Sequence, residues 1–180
     1  KRELKTKAKK GLSLQDLLLT AVLLAAGAVL KFFAGTFINL FGMKPNFIIA
    51  MYCMAIVLIR PKIYYSIIIG LLAGAICQFF PGTPYLNFGS ELAGALAMGL
   101  LIMIPAKNKT VEIVLAAVST FISTVISGGL YVVLLFVFIK SDPSAMVAYV
   151  PIVLGTATLN TIIVALLYVP LMKVLKKPFI

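Results

Sequence analysis

Histidine is absent from the 180 residues. That absence removes the usual general base, the commonest transition-metal ligand and the His-Glu-x-x-His zinc motif together. No Gly-rich loop followed by Lys-Ser or Lys-Thr occurs, so the chain carries no phosphate-binding loop for ATP hydrolysis. Cysteine is limited to Cys53 and Cys77, each inside an apolar run, a pattern of small packing residues rather than a disulfide or metal framework. Acidic residues number five against sixteen Lys and Arg, giving a formal net charge of +11. Nucleic acid is nevertheless a poor partner for that charge, because no basic soluble domain exists to carry it.

What the chain has instead is apolar length. It is 62% hydrophobic and 12% charged, the balance of a polytopic membrane protein. Six apolar segments predict helices, approximately Leu14 to Ala34, Asn46 to Ile59, Tyr64 to Phe80, Asn87 to Ile104, Val111 to Ile139 and Ala145 to Val169. The second is short against the roughly 20 residues of a full span. Residues 1–13 read as a basic cytoplasmic tail without a signal-peptide core, 14–175 as the membrane domain and 176–180 as a cytoplasmic C-terminus.

Basic residues set the expected orientation. Thirteen of the sixteen fall in the tail, at Arg60 and Lys62, at Lys107 and Lys109, and at Lys173, Lys176 and Lys177. The opposite loops offer Lys140 beside Asp142, and Lys44 stands at the entrance to the second helix. The positive-inside rule then predicts six spans, an all-α bundle, with both termini cytoplasmic.

On that topology the costly polar groups gather in the outer half: Lys31, Lys44, Gln78, Asn87 and Glu91. An intramembrane carboxylate costs about 2.5–3.5 kcal/mol or more, so Glu91, taken as the lone acid at depth, should face a cavity open to the outside. Capping of the fourth helix is the alternative role for Glu91, and snorkelling to headgroups the alternative for the two lysines. Thr120, Ser123, Thr124, Ser127 and Tyr131 recur at helical spacing and should share one face, while Thr156 and Asn160 reach mid-depth on the last helix. The stretches AGTFINLFGMKPN (34–46) and FFPGTPYLNFGS (79–90) have the Gly, Pro, Asn and aromatic content of loops folded over a site. The candidate substrate-binding set is Lys31, Phe37, Asn39, Lys44, Asn46, Gln78, Tyr85, Asn87, Glu91, Tyr131 and Asn160. Two ammonium groups and a carboxylate among aromatics, including Phe41 and Phe80, suit a small organic carboxylate that also bears an amine. A metal ion or cofactor is not called for. Small pairs at Ala21 and Ala25, Gly70 and Gly74, and Ala95 and Gly99 predict close helix packing.

The six-helix pattern, the Ala21-x-x-x-Ala25 pair and the outward loops resemble a substrate-binding S-component of an energy-coupling-factor transporter. Within that superfamily GAVLKFF (27–33), GMKPNFIIAM (42–51) and LNTIIVALLYVPLMKVL (159–175) are similar to the tryptophan-transporter branch. The resemblance implies a bacterial plasma-membrane protein without enzymatic activity that captures substrate outside. It further implies docking on a membrane coupling subunit with two ABC-type ATPases, through Ala21, Ala25 and, by extension, Ala28. A vitamin or vitamin precursor is the alternative substrate, since two lysines suit an anion without an amine. An autonomous secondary transporter is a further alternative, disfavoured by the lack of broken inverted repeats. An intramembrane enzyme is disfavoured too, since Ser123 and Ser127 have no histidine base.

Overall fold

The computed structural model describes residues 11–37, 44–81, 83–139 and 143–176. The basic stretch 1–10, Asn39, Phe41, Lys140, Asp142 and Lys177 lie outside the described residues. Those described form six α-helices: α1 (Leu14–Phe37), α2 (Ile48–Ile59), α3 (Ile63–Cys77), α4 (Asn87–Leu101), α5 (Lys109–Phe138) and α6 (Val150–Val174). Short 3-10 turns at Pro84–Leu86 and Pro143–Tyr149 lead into α4 and α6.

Local chemistry fixes several ends. Ser13 and Asp16 cap α1 reciprocally: the Asp16 amide donates to Ser13 Oγ at 3.2 Å and the Ser13 amide to Asp16 Oδ2 at 3.2 Å. Asn108 Oδ1 accepts the Val111 amide at 2.9 Å and starts α5. α2 stops at Arg60, which takes a left-handed conformation (φ 50°) before Pro61.

The largest departures from the expected boundaries, five residues at each end, fall on the last helix. The last helix begins at Val150 because Pro143–Tyr149 forms a 3-10 turn, and it runs on to Val174 through Pro170. A proline removes one amide donor, and Pro170 sits on an exposed face of the helix. An interior proline therefore does not end this helix, although Val169 was the expected stop.

The distribution of polarity is that of a membrane protein. Buried side chains include Thr20, Ser66, Ser90, Glu91, Glu112, Ser119, Thr120, Ser123, Thr124, Ser127 and Asn160. The exposed surface carries Leu18, Val22, Phe33, Leu72, Leu100, Val118, Ile126, Val137 and Leu166. An apolar exterior around a polar interior is the arrangement that lipid, not water, stabilises. α5 shows it within one helix, with Ser119, Thr120, Ser123, Thr124 and Ser127 facing in and Val114, Val118, Ile122 and Ile126 facing out. By length and composition, Leu14–Phe33, Lys109–Phe138 and Ser144–Val174 can each cross a membrane.

α2 occupies the centre, touching α1, α3, α4, α5 and α6. Every residue from Ile48 to Leu58 is buried. Its 12 residues make a rod of roughly 18 Å, too short to span the hydrocarbon, yet enclosed by other helices rather than by lipid. Its brevity is therefore tolerated. The predicted small pairs divide by role. A Cβ on Gly70 would meet Ala95 and the backbone of Glu91 and Leu92, and one on Gly74 would meet Phe88, so this pair seats α3 on α4. Ala21 and Ala25 instead lie exposed on α1, and Ala28 is half-buried.

Candidate functional site

Side-chain contacts bring the C-terminal halves of α1, α3 and α5 to the same end as the starts of α2, α4 and α6. At that end the helices enclose a cavity of about 480 Å³, within the roughly 300–1,000 Å³ range of small-molecule sites. Its wall includes Lys31 and Phe32 from α1, Lys44 and Asn46 ahead of α2, and Cys77 at the end of α3. Phe80, Pro81, Thr83 and Pro84 come from the α3–α4 connection, Asn87, Ser90 and Glu91 from α4, and Thr124, Ser127, Gly128 and Tyr131 from α5. Ile49, Val153 and Thr156 complete it.

Glu91 is 1% exposed. Asn46 Nδ2 donates to its Oε1 by a short hydrogen bond, and Ser127 Oγ donates to Oε2 at 3.1 Å. Both partners are neutral, and no ion pair among the described residues joins Glu91 to a cation. Its carboxylate therefore lies in low dielectric without a direct ion-pair partner among the described residues, with the Lys31 ammonium on the same cavity wall. Lys31 is also buried, 9% exposed. Its ammonium donates to Cys77 Sγ at 3.3 Å and lies 4.9 Å from the Phe80 ring centroid, a cation–π arrangement. Thiol and ring are weak partners for an ammonium, which leaves Lys31 able to hold an anion. Lys44 is exposed and marks the mouth.

Around this pair the helices are tied by polar contacts. Asn160 Nδ2 donates to the Asn46 carbonyl at 3.2 Å and to Thr124 Oγ1 at 3.4 Å, holding the entry to α2 against α5 and α6. Ser123 Oγ donates to the Gly94 carbonyl at 3.0 Å. Gly94 has no room for a side chain, since a Cβ there would collide with the Tyr52 hydroxyl and the Ser127 Cβ. Above the cavity, Thr83 Oγ1 and Tyr131 Oη share a hydrogen bond of 2.8 Å, fastening the α3–α4 connection across to α5.

Of the residues expected from sequence, Lys31, Lys44, Asn46, Asn87, Glu91 and Tyr131 line the cavity together. Asn87 lines it while donating to the Pro84 carbonyl at 3.0 Å, so its amide shapes the turn ahead of α4. Asn160 supports the wall from behind Asn46 and Thr124. Gln78 faces elsewhere: its Nε2 donates to the carbonyls of Gly74 at 2.7 Å and Pro84 at 2.9 Å, which ties the end of α3 to the same turn. Phe37 and Tyr85 point outward, 85% and 53% exposed. Cys77, Thr83, Ser90, Gly128 and Val153 line the cavity without having been singled out as ligands. For Ser90 the signal was its place beside Glu91; for Cys77 an isolated apolar position gave none.

The expectation of a single buried acid is corrected. Glu112 is also 1% exposed, at the opposite end of the bundle. It accepts from Arg60 Nη2 at 2.9 Å and from Tyr168 Oη at 2.8 Å, joining α5 to the C-terminal ends of α2 and α6. Among the described residues no cluster of three or more His, Cys, Asp or Glu side chains could hold a metal ion.

Two similar proteins carry transport names. One from Clostridium acetobutylicum, described as a probable tryptophan transport protein, is 26% identical over 171 residues, covering 93% of this chain and 98% of its own length. A probable tryptophan transport protein of Bacillus subtilis is 26% identical over 166 residues, 91% of this chain and 94% of that one. No solved structure matches the chain. The family model described as tryptophan transporter TrpP matches residues 13–176, which takes in all six helices and every residue of the cavity, and the chain belongs to that family.

Proposed function

We propose that this chain captures tryptophan in the cavity between its helices and delivers it across a bacterial plasma membrane as the S-component of an energy-coupling-factor importer. The observation that carries the reading is the presence of Glu91 and Lys31 on one cavity wall, both buried and without a direct ion pair between them. A zwitterion supplies the missing charges. Its carboxylate meets Lys31, with Lys44 at the mouth, and its ammonium meets Glu91. Charge-assisted hydrogen bonds at about 2.7–2.9 Å in a dry site give affinity and orientation together. The indole ring packs on Phe80, Ile49, Val153 and Tyr131. The names of the two relatives agree with this cargo.

The distribution of basic residues supports a reading of six membrane crossings with both termini in the cytoplasm, on which the cavity opens to the outside. Driving force comes from elsewhere, in keeping with a chain whose sequence holds no phosphate-binding loop. Ala21 and Ala25 are exposed on α1, and Ala21 borders a small apolar groove lined by Leu17, Leu24, Ile68 and Leu72. A coupling subunit carrying two ATPases docks on this small-residue surface, where helix backbones can approach closely.

Two measurements test the two halves of the reading. Thermal melting of the purified chain across amino acids and vitamins should show tryptophan raising the midpoint, because a ligand of the folded state stabilises it by mass action. Stabilisation by a vitamin and not by tryptophan would replace the cargo. Enlarging Ala21 or Ala25 to Leu should abolish uptake in cells and leave tryptophan binding within about twofold, because neither side chain touches the cavity. Equal loss of binding would assign these alanines to bundle packing.

A further inference from the structure

We infer that the floor of the cavity is built for a primary ammonium group, and that Asn46 Oδ1 and Ser90 Oγ join Glu91 in selecting it. The inference rests on the tryptophan reading and sharpens it, from an amino acid to an amino acid whose nitrogen carries three protons.

Hydrogen-bond bookkeeping supplies the argument. The Asn46 amide faces a carboxylate, so the atom it presents to Glu91 must be nitrogen. Its oxygen then points away, and Asn46 Oδ1 is buried with no donor. Asn160 is fixed in the same way. It faces the Asn46 carbonyl and Thr124 Oγ1, whose own proton goes to the Thr120 carbonyl at 2.8 Å, so Asn160 too must present nitrogen there. Neither amide can turn to relieve its oxygen without setting acceptor against acceptor.

Ser90 is the second unpartnered group. It is 0% exposed, lines the cavity, and its Oγ has no hydrogen-bond partner. Mid-helix hydroxyls ordinarily fold back onto the carbonyl four residues earlier, as Thr20, Thr120, Thr124 and Thr161 do here at 2.8 Å. Ser90, in the first turn of α4, makes no such bond. Leaving such a buried oxygen unpaired costs about 1–3 kcal/mol, a cost that a ligand with hydrogens at the right points removes.

Of the unpartnered buried oxygens, which also include Tyr52 Oη, Ser66 Oγ and Asn160 Oδ1, those of Asn46 and Ser90 belong to residues that line the cavity with Glu91, a set suited to a positive group with several N–H bonds. A primary ammonium has three, one each for Glu91, Asn46 and Ser90. A carboxylate placed there would face the Glu91 carboxylate and Asn46 Oδ1 with only the Ser90 hydroxyl able to donate, which orients the zwitterion: ammonium to the floor, carboxylate toward Lys31. Each methyl group on the nitrogen deletes one donor and leaves one oxygen unpaired.

The test is calorimetric binding of the purified protein to L-tryptophan, Nα-methyl-L-tryptophan, Nα,Nα-dimethyl-L-tryptophan and 3-indolepropionate, repeated with Ser90→Ala and with sodium replaced by choline. The expected result is tight binding of tryptophan and a loss of at least about 10-fold for the first methyl group, more for the second, and most for the propionate. Ser90→Ala should weaken tryptophan yet shrink the first methyl penalty to about threefold or less, because the acceptor is gone and its space is open. Equal binding of tryptophan and its methyl derivatives by the native chain overturns the ammonium floor while leaving tryptophan capture standing. A uniform loss for all ligands in Ser90→Ala assigns Ser90 to packing and overturns its part. A sodium requirement for tryptophan binding gives the oxygens to a metal ion and overturns the inference. Absence of tryptophan binding with retention of another ligand removes the parent reading itself. The native-chain series decides the question even should the variant fail to fold.

Discussion

Two glutamates, equally buried at opposite ends of one bundle, have opposite surroundings. Glu112 is held by the guanidinium of Arg60 and the hydroxyl of Tyr168, a charge matched by a charge and a donor. Glu91 is held by the amide of Asn46 and the hydroxyl of Ser127, donors without charge, at the wall of a cavity. The short central helix serves both, with Asn46 just before its start and Arg60 just after its end. Burial alone does not distinguish a structural carboxylate from a functional one, since both are 1% exposed. The completeness of the partner set does. Glu112 staples three helices through a direct ion pair; Glu91 has no direct ion-pair partner among the described residues.

That contrast predicts separable phenotypes. Arg60→Ala should be the most damaging to stability, at about 3 kcal/mol, because it strands the buried Glu112 charge. Thermal melting in detergent would show the drop, while tryptophan affinity of the protein that remains folded should stay within about twofold. Coupled loss of stability and affinity on this side would erase the division between the two ends.

Glu91→Gln should behave in the reverse sense. It removes a buried charge at nearly constant volume, so the midpoint of unliganded melting should hold or rise. Tryptophan affinity should fall roughly 100-fold, the scale of one desolvated charge-assisted contact of about 2.7 kcal/mol. Calorimetry on native and variant protein measures both quantities. A destabilised variant with unchanged affinity would make Glu91 a second Glu112. Lys31→Met comes next at about 10-fold in affinity, since Lys44 at the mouth still attracts the carboxylate and methionine keeps the packing on Phe80.

The same contrast shows what could be seen in the sequence. Periodicity revealed the polar face of α5, because spacings of three and four fix which side chains share a helix face whatever the rest of the fold does. Composition pointed to a membrane protein, and cost drew attention to Glu91, since an acid among alanines, glycines and leucines needs a reason. The pairing of Asn46 with Glu91, 45 residues apart, needs tertiary structure. The burial of Glu112 likewise needs tertiary structure, since Arg60 and Tyr168, which hydrogen-bond it, are 52 and 56 residues away in the chain. Phe37, Gln78 and Tyr85 were placed in the site because they flank it. Near helix ends and turns no fixed period dictates side-chain direction, and these three turn outward or onto the backbone.

The smallest predicted effect concerns the roof. Thr83 and Tyr131 join the α3–α4 connection to α5 by one hydroxyl pair at 2.8 Å, and both residues line the cavity. A neutral hydrogen bond contributes about 0.5–1.5 kcal/mol net, and Tyr131→Phe removes it while keeping the aromatic surface. The connection then opens more often without altering the groups that grip the zwitterion. Tryptophan should therefore dissociate about threefold faster, with association nearly unchanged, since interface changes of this kind fall mainly on the off-rate. Stopped-flow displacement of bound tryptophan reads both rates. An unchanged off-rate would mean that ligand leaves by another route than past this pair, and the two ends of the bundle would then differ in charge alone and not also in access.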